Sequence, residues 1–112
     1  MMTMNMMTDA TGDVERIAVI GGGSWGTALA GRLAANGNDT VLWAYEPELV
    51  AEINTSHTNS LYLPGINLHP TLECTGDLEE AVSGRSIVLL VTPVQVMRGV
   101  LKQLASFIAP HA

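Results

Sequence analysis

Residues 16–26 read Arg16-Ile17-Ala18-Val19-Ile20-Gly21-Gly22-Gly23-Ser24-Trp25-Gly26, an apolar run that breaks into a glycine turn. The glycines at 21, 23 and 26 fit G-x-G-x-x-G, placed directly after a strand and opening a helix. Each glycine has a mechanical task in that pattern. Gly21 permits a tight turn, Gly23 lets a pyrophosphate approach the backbone, and Gly26 lets the helix pack closely on the strand. The unpaired amides of the first helical turn, at the positive end of the helix dipole, then hold phosphate without any cation. The nearest basic residues are Arg16 and Arg32, on either side of the turn.

Working outward, apolar runs alternate with segments of helical period, which predicts a parallel sheet with crossover helices. Strands are expected at Arg16–Ile20, Thr40–Ala44, Leu72–Thr75 and Ser86–Val91, the last apolar on both faces as a covered parallel strand should be. Between the first two, Trp25, Leu29 and Leu33 recur every four residues beside Ala28 and predict the helix face that packs on the sheet. Gly37 ends that helix. Pro47 opens a second, with Leu49, Val50 and Ile53 inward, and residues 57–70 read as a loop. Asp77 with Glu80 opens a short third helix that Gly84 stops. After Pro93, Val96, Met97, Val100, Leu101, Leu104 and Ile108 define the buried side of a fourth, with Lys102 and Gln103 toward water.

The expected architecture is α/β, a Rossmann-type parallel sheet in the order 3-2-1-4. Its remaining strands and a helical substrate domain are expected beyond Ala112. Residues 1–13 are expected to be a disordered tail and residues 14–112 part of a dinucleotide-binding domain. In that strand order the loops after strands one and four flank the point where ligands bind. Thr92-Pro93-Val94-Gln95 fills the second loop, and Gln95 is a candidate neighbour of the nicotinamide half, beside its plainer reading as a proline-opened helix start. Glu46, 20 residues after Gly26, lies where an acid that reads a ribose belongs.

Composition narrows the function classes. Hydrophobic residues make up 47% of the 112, enough to bury a core. Charged residues are 14% and the net charge is −6, which argues against a nucleic-acid partner. No apolar stretch is long enough for a membrane span, and the methionine-rich start has no Lys or Arg to make a secretory signal, so a cytoplasmic protein is expected. Cys74 reads as a small apolar strand residue, and no metal-ligand set is assigned.

Ile17 through Ala30 closely resembles the opening of bacterial NAD(P)-dependent glycerol-3-phosphate dehydrogenases. Leu42-Trp43-Ala44, Ile53-Asn54 through His57, Asn59, Tyr62-Leu63-Pro64-Gly65 and Asp77-Leu78-Glu79-Glu80-Ala81 resemble the same family in the same order, over nearly everything from Arg16 to Ile108. The resemblance implies that Ser24 and Trp25 contact the cofactor, that Tyr45 and Glu46 lie at the adenosine ribose, and that Tyr62 is a further contact. Plainer roles compete: Ser24 as a helix cap, Trp25 as a core anchor, Tyr62 as an aromatic that pins a long loop. The cofactor-binding set is therefore Gly21, Gly23, Ser24, Trp25, Gly26, Tyr45, Glu46 and Tyr62.

Relatives commonly carry Arg or His where this chain has Tyr45. A 2′-phosphate needs such a cation whereas a free 2′-hydroxyl is served by Glu46, so of NAD and NADP the sequence leans toward NAD(H). The family's reaction is hydride transfer between NAD(P)H and dihydroxyacetone phosphate, giving sn-glycerol 3-phosphate for phospholipid synthesis. No catalytic residue is assigned, because the only lysine, Lys102, is expected at the surface and the family's catalytic lysines lie further along than Ala112. The chain by itself is expected to be inactive. The alternatives are another oxidoreductase of the 6-phosphogluconate-dehydrogenase-like kind, against which Tyr62-Leu63-Pro64-Gly65 speaks, and a nucleotide-binding module without chemistry. A homodimer is left open as the assembly.

Overall fold

The computed structural model describes residues 15–91 and 94–104, with side chains omitted at 94–97 and 104. The tail Met1–Asp13, the loop pair Thr92-Pro93, the side chains of Gln95, Val96, Met97 and Leu104, and Ile108 lie outside the described residues.

Chain order is β1 Arg16–Ile20, α1 Ser24–Ala35, β2 Asp39–Trp43, α2 Pro47–Ser56, β3 Thr58–Asn59, β4 Leu63–Asn67, β5 Glu73–Thr75, α3 Leu78–Val82, β6 Ile87–Leu90 and α4 Val94–Leu104. Four strands form a parallel sheet in the order β5-β2-β1-β6, as the sequence predicts. Alternation along β1 divides the core in two. Ile17 and Val19 face a cluster with Ala30, Leu33, Leu49 and Ile53 of α1 and α2. Ala18 and Ile20 face Leu78, Ala81 and Val82 of α3 and Val100 of α4. Helices therefore cover both sheet faces, and the strand ends are left for loops.

Several local signals act as expected. Pro47 is at the start of α2. Asp77 caps α3 by accepting from the N–H groups of Glu79 and Glu80 at 3.0 and 3.3 Å. After α1, Gly37 N–H donates to the Ala34 carbonyl and Asn38 N–H to that of Leu33, closing the helix end. Predicted strand boundaries differ from the observed ones by one residue at each end of β2 and β6 and by one at the start of β5.

Three expectations are corrected. The buried face of α1 is Gly26, Thr27, Ala30, Leu33 and Ala34; of the predicted stripe Leu33 is buried and Leu29 packs half-buried against the core, but Trp25 and Ala28 are exposed. Small residues win because the helix approaches the sheet closely at Gly26, and at 3.6 residues per turn this rotates Trp25 outward, leaving it 71% exposed. Residues 57–70 are not a plain loop, because β3 and β4 pair antiparallel there, Thr58 against Asn67 and Asn59 against Leu63. Pro64 and Gly65 hide that strand from pattern reading, yet an edge strand tolerates them. On α4, Val100 is buried, but Leu101 is 46% exposed instead of facing the sheet.

Candidate functional site

The glycine turn sits at the C-terminal end of β1, between β2 and the last described residues of β6. Gly21 N–H donates to the Trp43 carbonyl at 3.0 Å and Val91 N–H to that of Ile20 at 2.9 Å, so the turn is tied to both neighbours. Gly21 has φ +132°, in the region that favours glycine. A Cβ at Gly26 would lie 1.7 Å from the Gly21 carbonyl oxygen, so only glycine permits this approach of α1 to the turn. At Gly23 the opposite holds, since a Cβ there would meet nothing among the described residues within 4 Å. The turn is thus crowded inside and open outside, as a phosphate cradle requires. None of the backbone N–H groups of Gly22 through Gly26 donates to an acceptor among the described residues. Gly22, outside the three-glycine pattern, is also needed, because its Cβ would come within 2.8 Å of that of Ala44.

Ser24 is the first residue of α1 and does not cap it; Gly23 is the N-cap, with no side-chain cap bond. Instead Ser24 Oγ donates to the Tyr62 carbonyl at 2.6 Å. Trp25 is no core anchor, and its exposed indole stands beside the turn where a ligand can meet it. Tyr62 is fastened at three points. Its carbonyl accepts from Ser24, its N–H donates to Asn59 Oδ1 at 3.0 Å, and its hydroxyl donates to Glu46 Oε2 at 2.5 Å. The Glu46 carboxylate beside it pushes the Tyr62 hydroxyl pKa up, which keeps the proton on the donor. Glu46 Oε1 has no partner among the described residues. Tyr62 therefore does pin its loop, and it also orients the acid.

Tyr45 is 81% exposed and meets Trp43 edge to face at a centroid distance of 6.4 Å. Trp43 in turn donates from Nε1 to the Gly76 carbonyl at 3.0 Å. A cleft opens here, lined by Trp43, Tyr45, Gly76, Leu78 and Val100, on the sheet face opposite α1.

Sequence reading missed the residues behind the turn. Asn59 and Thr27 are fully buried. Asn59 Nδ2 donates to the Gly22 carbonyl at 3.1 Å and to Thr27 Oγ1 at 2.7 Å, and Thr27 Oγ1 donates to the same Gly22 carbonyl at 3.1 Å. Glu52 holds the hairpin base, accepting from Thr58 Oγ1 and from Ser60 N–H and Oγ at 2.7 to 2.9 Å, bonds that lower its carboxyl pKa. The only local signal for Asn59 was its place in the family-like stretch.

Cys74 lies in the core, and burial pushes its thiol up to about 12, so it is a packing residue and not a nucleophile. Among the described residues no group of three metal-ligating side chains occurs, and no helix is long and apolar enough to cross a membrane.

Comparison with known proteins agrees with this geometry. The family described as NAD-dependent glycerol-3-phosphate dehydrogenase N-terminus matches residues 16–112. Glycerol-3-phosphate dehydrogenase [NAD(P)+] of Trichlorobacter lovleyi is 64% identical over 97 residues, covering 87% of this chain and 29% of that protein. That of Geobacter sulfurreducens is 58% identical over 96 residues, covering 86% and 29%. The chain thus spans about three-tenths of the length of these relatives. Among solved structures, glycerol-3-phosphate dehydrogenase of Saccharomyces cerevisiae superposes with TM-score 0.83 at 31% identity, over 89% of this chain and 32% of that one. The enzyme of Coxiella burnetii gives 0.82 at 34%, over 88% and 30%. These matches select the glycerol-3-phosphate dehydrogenase reading over other related oxidoreductases. With the glycine turn, the strand order and the match in agreement, the chain belongs to the NAD-dependent glycerol-3-phosphate dehydrogenase family, whose N-terminal, NAD-binding region it carries.

Proposed function

We propose that this chain holds NAD(H) across the C-terminal edge of its sheet and presents it, in the enzyme whose N-terminal region it forms, to dihydroxyacetone phosphate for interconversion with sn-glycerol 3-phosphate. The observation that carries this is the turn from Gly21 to Gly26, crowded within, open at Gly23, and edged by amides without acceptors among the described residues. Those amides and the α1 dipole bind the pyrophosphate. The free Oε1 of Glu46 accepts from the adenosine ribose 2′-hydroxyl, while Tyr62 occupies Oε2 and fixes the carboxylate plane. A 2′-phosphate would meet that carboxylate instead of a cation, which favours NAD(H) over NADP(H). Tyr45 and Trp43 wall the cleft that takes the adenine.

Ser24 and Trp25 border the pyrophosphate, and Trp25 adds an aromatic face toward the nicotinamide half. When bound, the nicotinamide supplies or receives the hydride. No described residue is assigned a proton-transfer role, and Lys102 is exposed on α4. A cytoplasmic location and a homodimer belong to the same proposal.

Calorimetric titration of NADH and NADPH into the chain tests it. Binding of NADH, tighter than of NADPH, is expected. Tighter NADPH binding would overturn the role of Glu46, and no binding of either would overturn the proposal.

A further inference from the structure

We infer that Asn59, on the hairpin and outside the ligand's reach, is a positioning residue that sets the aim of the phosphate-binding amide at Gly23. The inference rests on the dinucleotide reading above and adds to it the device that orients the turn. Its basis is peptide geometry. The Gly22 carbonyl and the Gly23 N–H share one peptide plane, and no peptide bond among the described residues is cis. In a trans peptide the two groups point in opposite directions. Asn59 Nδ2 and Thr27 Oγ1, both buried, each donate to the Gly22 oxygen at 3.1 Å and hold it inward. The Gly23 N–H is thereby turned outward, on the side where Gly23 has open space.

Glycine has no side chain to select between peptide orientations, so the run Gly21-Gly22-Gly23 by itself leaves this plane free to rotate. Asn59 removes that freedom from 37 residues away in sequence. It is also fully committed. Its second amide contact reaches Thr27 Oγ1 at 2.7 Å, and its Oδ1 receives Tyr62 N–H at 3.0 Å, so the side chain cannot rotate without breaking the loop that carries Tyr62 to Glu46. One buried amide thus couples the pyrophosphate end of the site to its ribose end.

Asn59→Asp removes the donor to Gly22 while the carboxylate still accepts from Tyr62 N–H, and the uncharged Thr27→Val separates loss of the donor from repulsion of the phosphates by the new charge. In the full chain, the expected result is a loss of NADH and ADP-ribose affinity of about tenfold or more, the scale of one buried hydrogen bond. Adenosine, which has no pyrophosphate, should bind as to wild type. General loosening of the domain would weaken all three ligands alike, and that outcome overturns the inference.

Thr27→Val should lose NADH affinity in the same pattern, with Thr27→Ser restoring it, which keeps the test decisive if Asn59→Asp does not fold. Amide NMR of the ligand-free protein supplies a readout that needs no ligand: a single sharp Gly23 resonance in wild type and a broadened one in Thr27→Val or Asn59→Asp. An unchanged Gly23 resonance in a folded variant overturns the inference. If wild type binds NADH and a folded Asn59→Asp protein binds it equally well, Asn59 has no such role and the dinucleotide reading stands. If wild type binds no NADH, that reading fails and this inference with it.

Discussion

The two ends of the central sheet are held by opposite means. At the N-terminal end, Asp39 lies 3.6 Å from Arg16 Nε and 3.0 Å from Arg85 Nη1, with the Arg16 and Asp39 side chains 56% and 51% exposed. Ser86 Oγ donates to Glu15 close by. At the C-terminal end the contacts directly behind the glycine turn are neutral and buried, running from Gly22 through Thr27 to Asn59, while the carboxylates of Glu46 and Glu52 hold Tyr62 and the hairpin base at the exposed rim. Water and salt compete for the exposed Arg16–Asp39 pair, which contributes little, whereas the Arg85 side chain is only 10% exposed and keeps a second hydrogen bond, to the Asp39 carbonyl. Buried donors have no such substitute, and losing one leaves its acceptor unsatisfied. The turn that faces a ligand is therefore held from behind by a buried amide, a hydroxyl and close-packed glycines, with no charged group among those contacts.

The sharpest way to break that contrast is at the crowded side of the turn. Gly26→Ala places a methyl where the Gly21 carbonyl already stands, at 1.7 Å, and no flexible side chain is available to yield. We expect a loss of about 3 kcal/mol or more, or a fall in Tm of about 10 °C or more, by thermal melting. A variant that melts like wild type would show that the turn can shift away from α1, contrary to its description as crowded within.

Gly23→Val probes the open side of the same turn. The backbone there, φ −72° and ψ −171°, accepts a β-branched residue, and beyond its chain neighbours no atom of the described residues lies within 4 Å of the new Cβ. Stability should change by no more than about 1 kcal/mol, the scale of an altered N-cap. NADH affinity should fall by about a hundredfold or more, because the side chain fills the space into which the pyrophosphate must come. Melting and calorimetry on one sample separate the two quantities, and retained affinity in a folded variant contradicts the assignment of this space to phosphate.

The smallest effect is expected at the other end of the sheet. Asp39→Asn removes the charge that two arginines share and keeps the oxygen that Arg85 Nη1 reaches at 3.0 Å. Urea unfolding should register under about 1 kcal/mol, shrinking further in high salt, with NADH affinity unchanged. A cost equal to that of Gly26→Ala would mean that the exposed end carries the sheet, reversing the comparison.

The amino-acid sequence by itself determined the strand order, because a strand, a G-x-G-x-x-G turn, an amphipathic segment and a second strand leave few ways to wind a parallel sheet. It also determined where the turn, the Pro47 and Asp77 helix starts and Glu46 would stand, since each is a local signal with a local cause. The inward face of α1 was decided only in three dimensions. Trp25-Leu29-Leu33 and Gly26-Ala30-Leu33 are both helical stripes, and the contact between Gly26 and Gly21 chose the second. Tertiary structure alone also decided the hairpin within residues 57–70 and the role of Asn59. Neither leaves a periodic trace, because Pro64 and Gly65 interrupt the alternation of β4, and a lone asparagine shows its purpose only when folding brings it against a carbonyl 37 residues away.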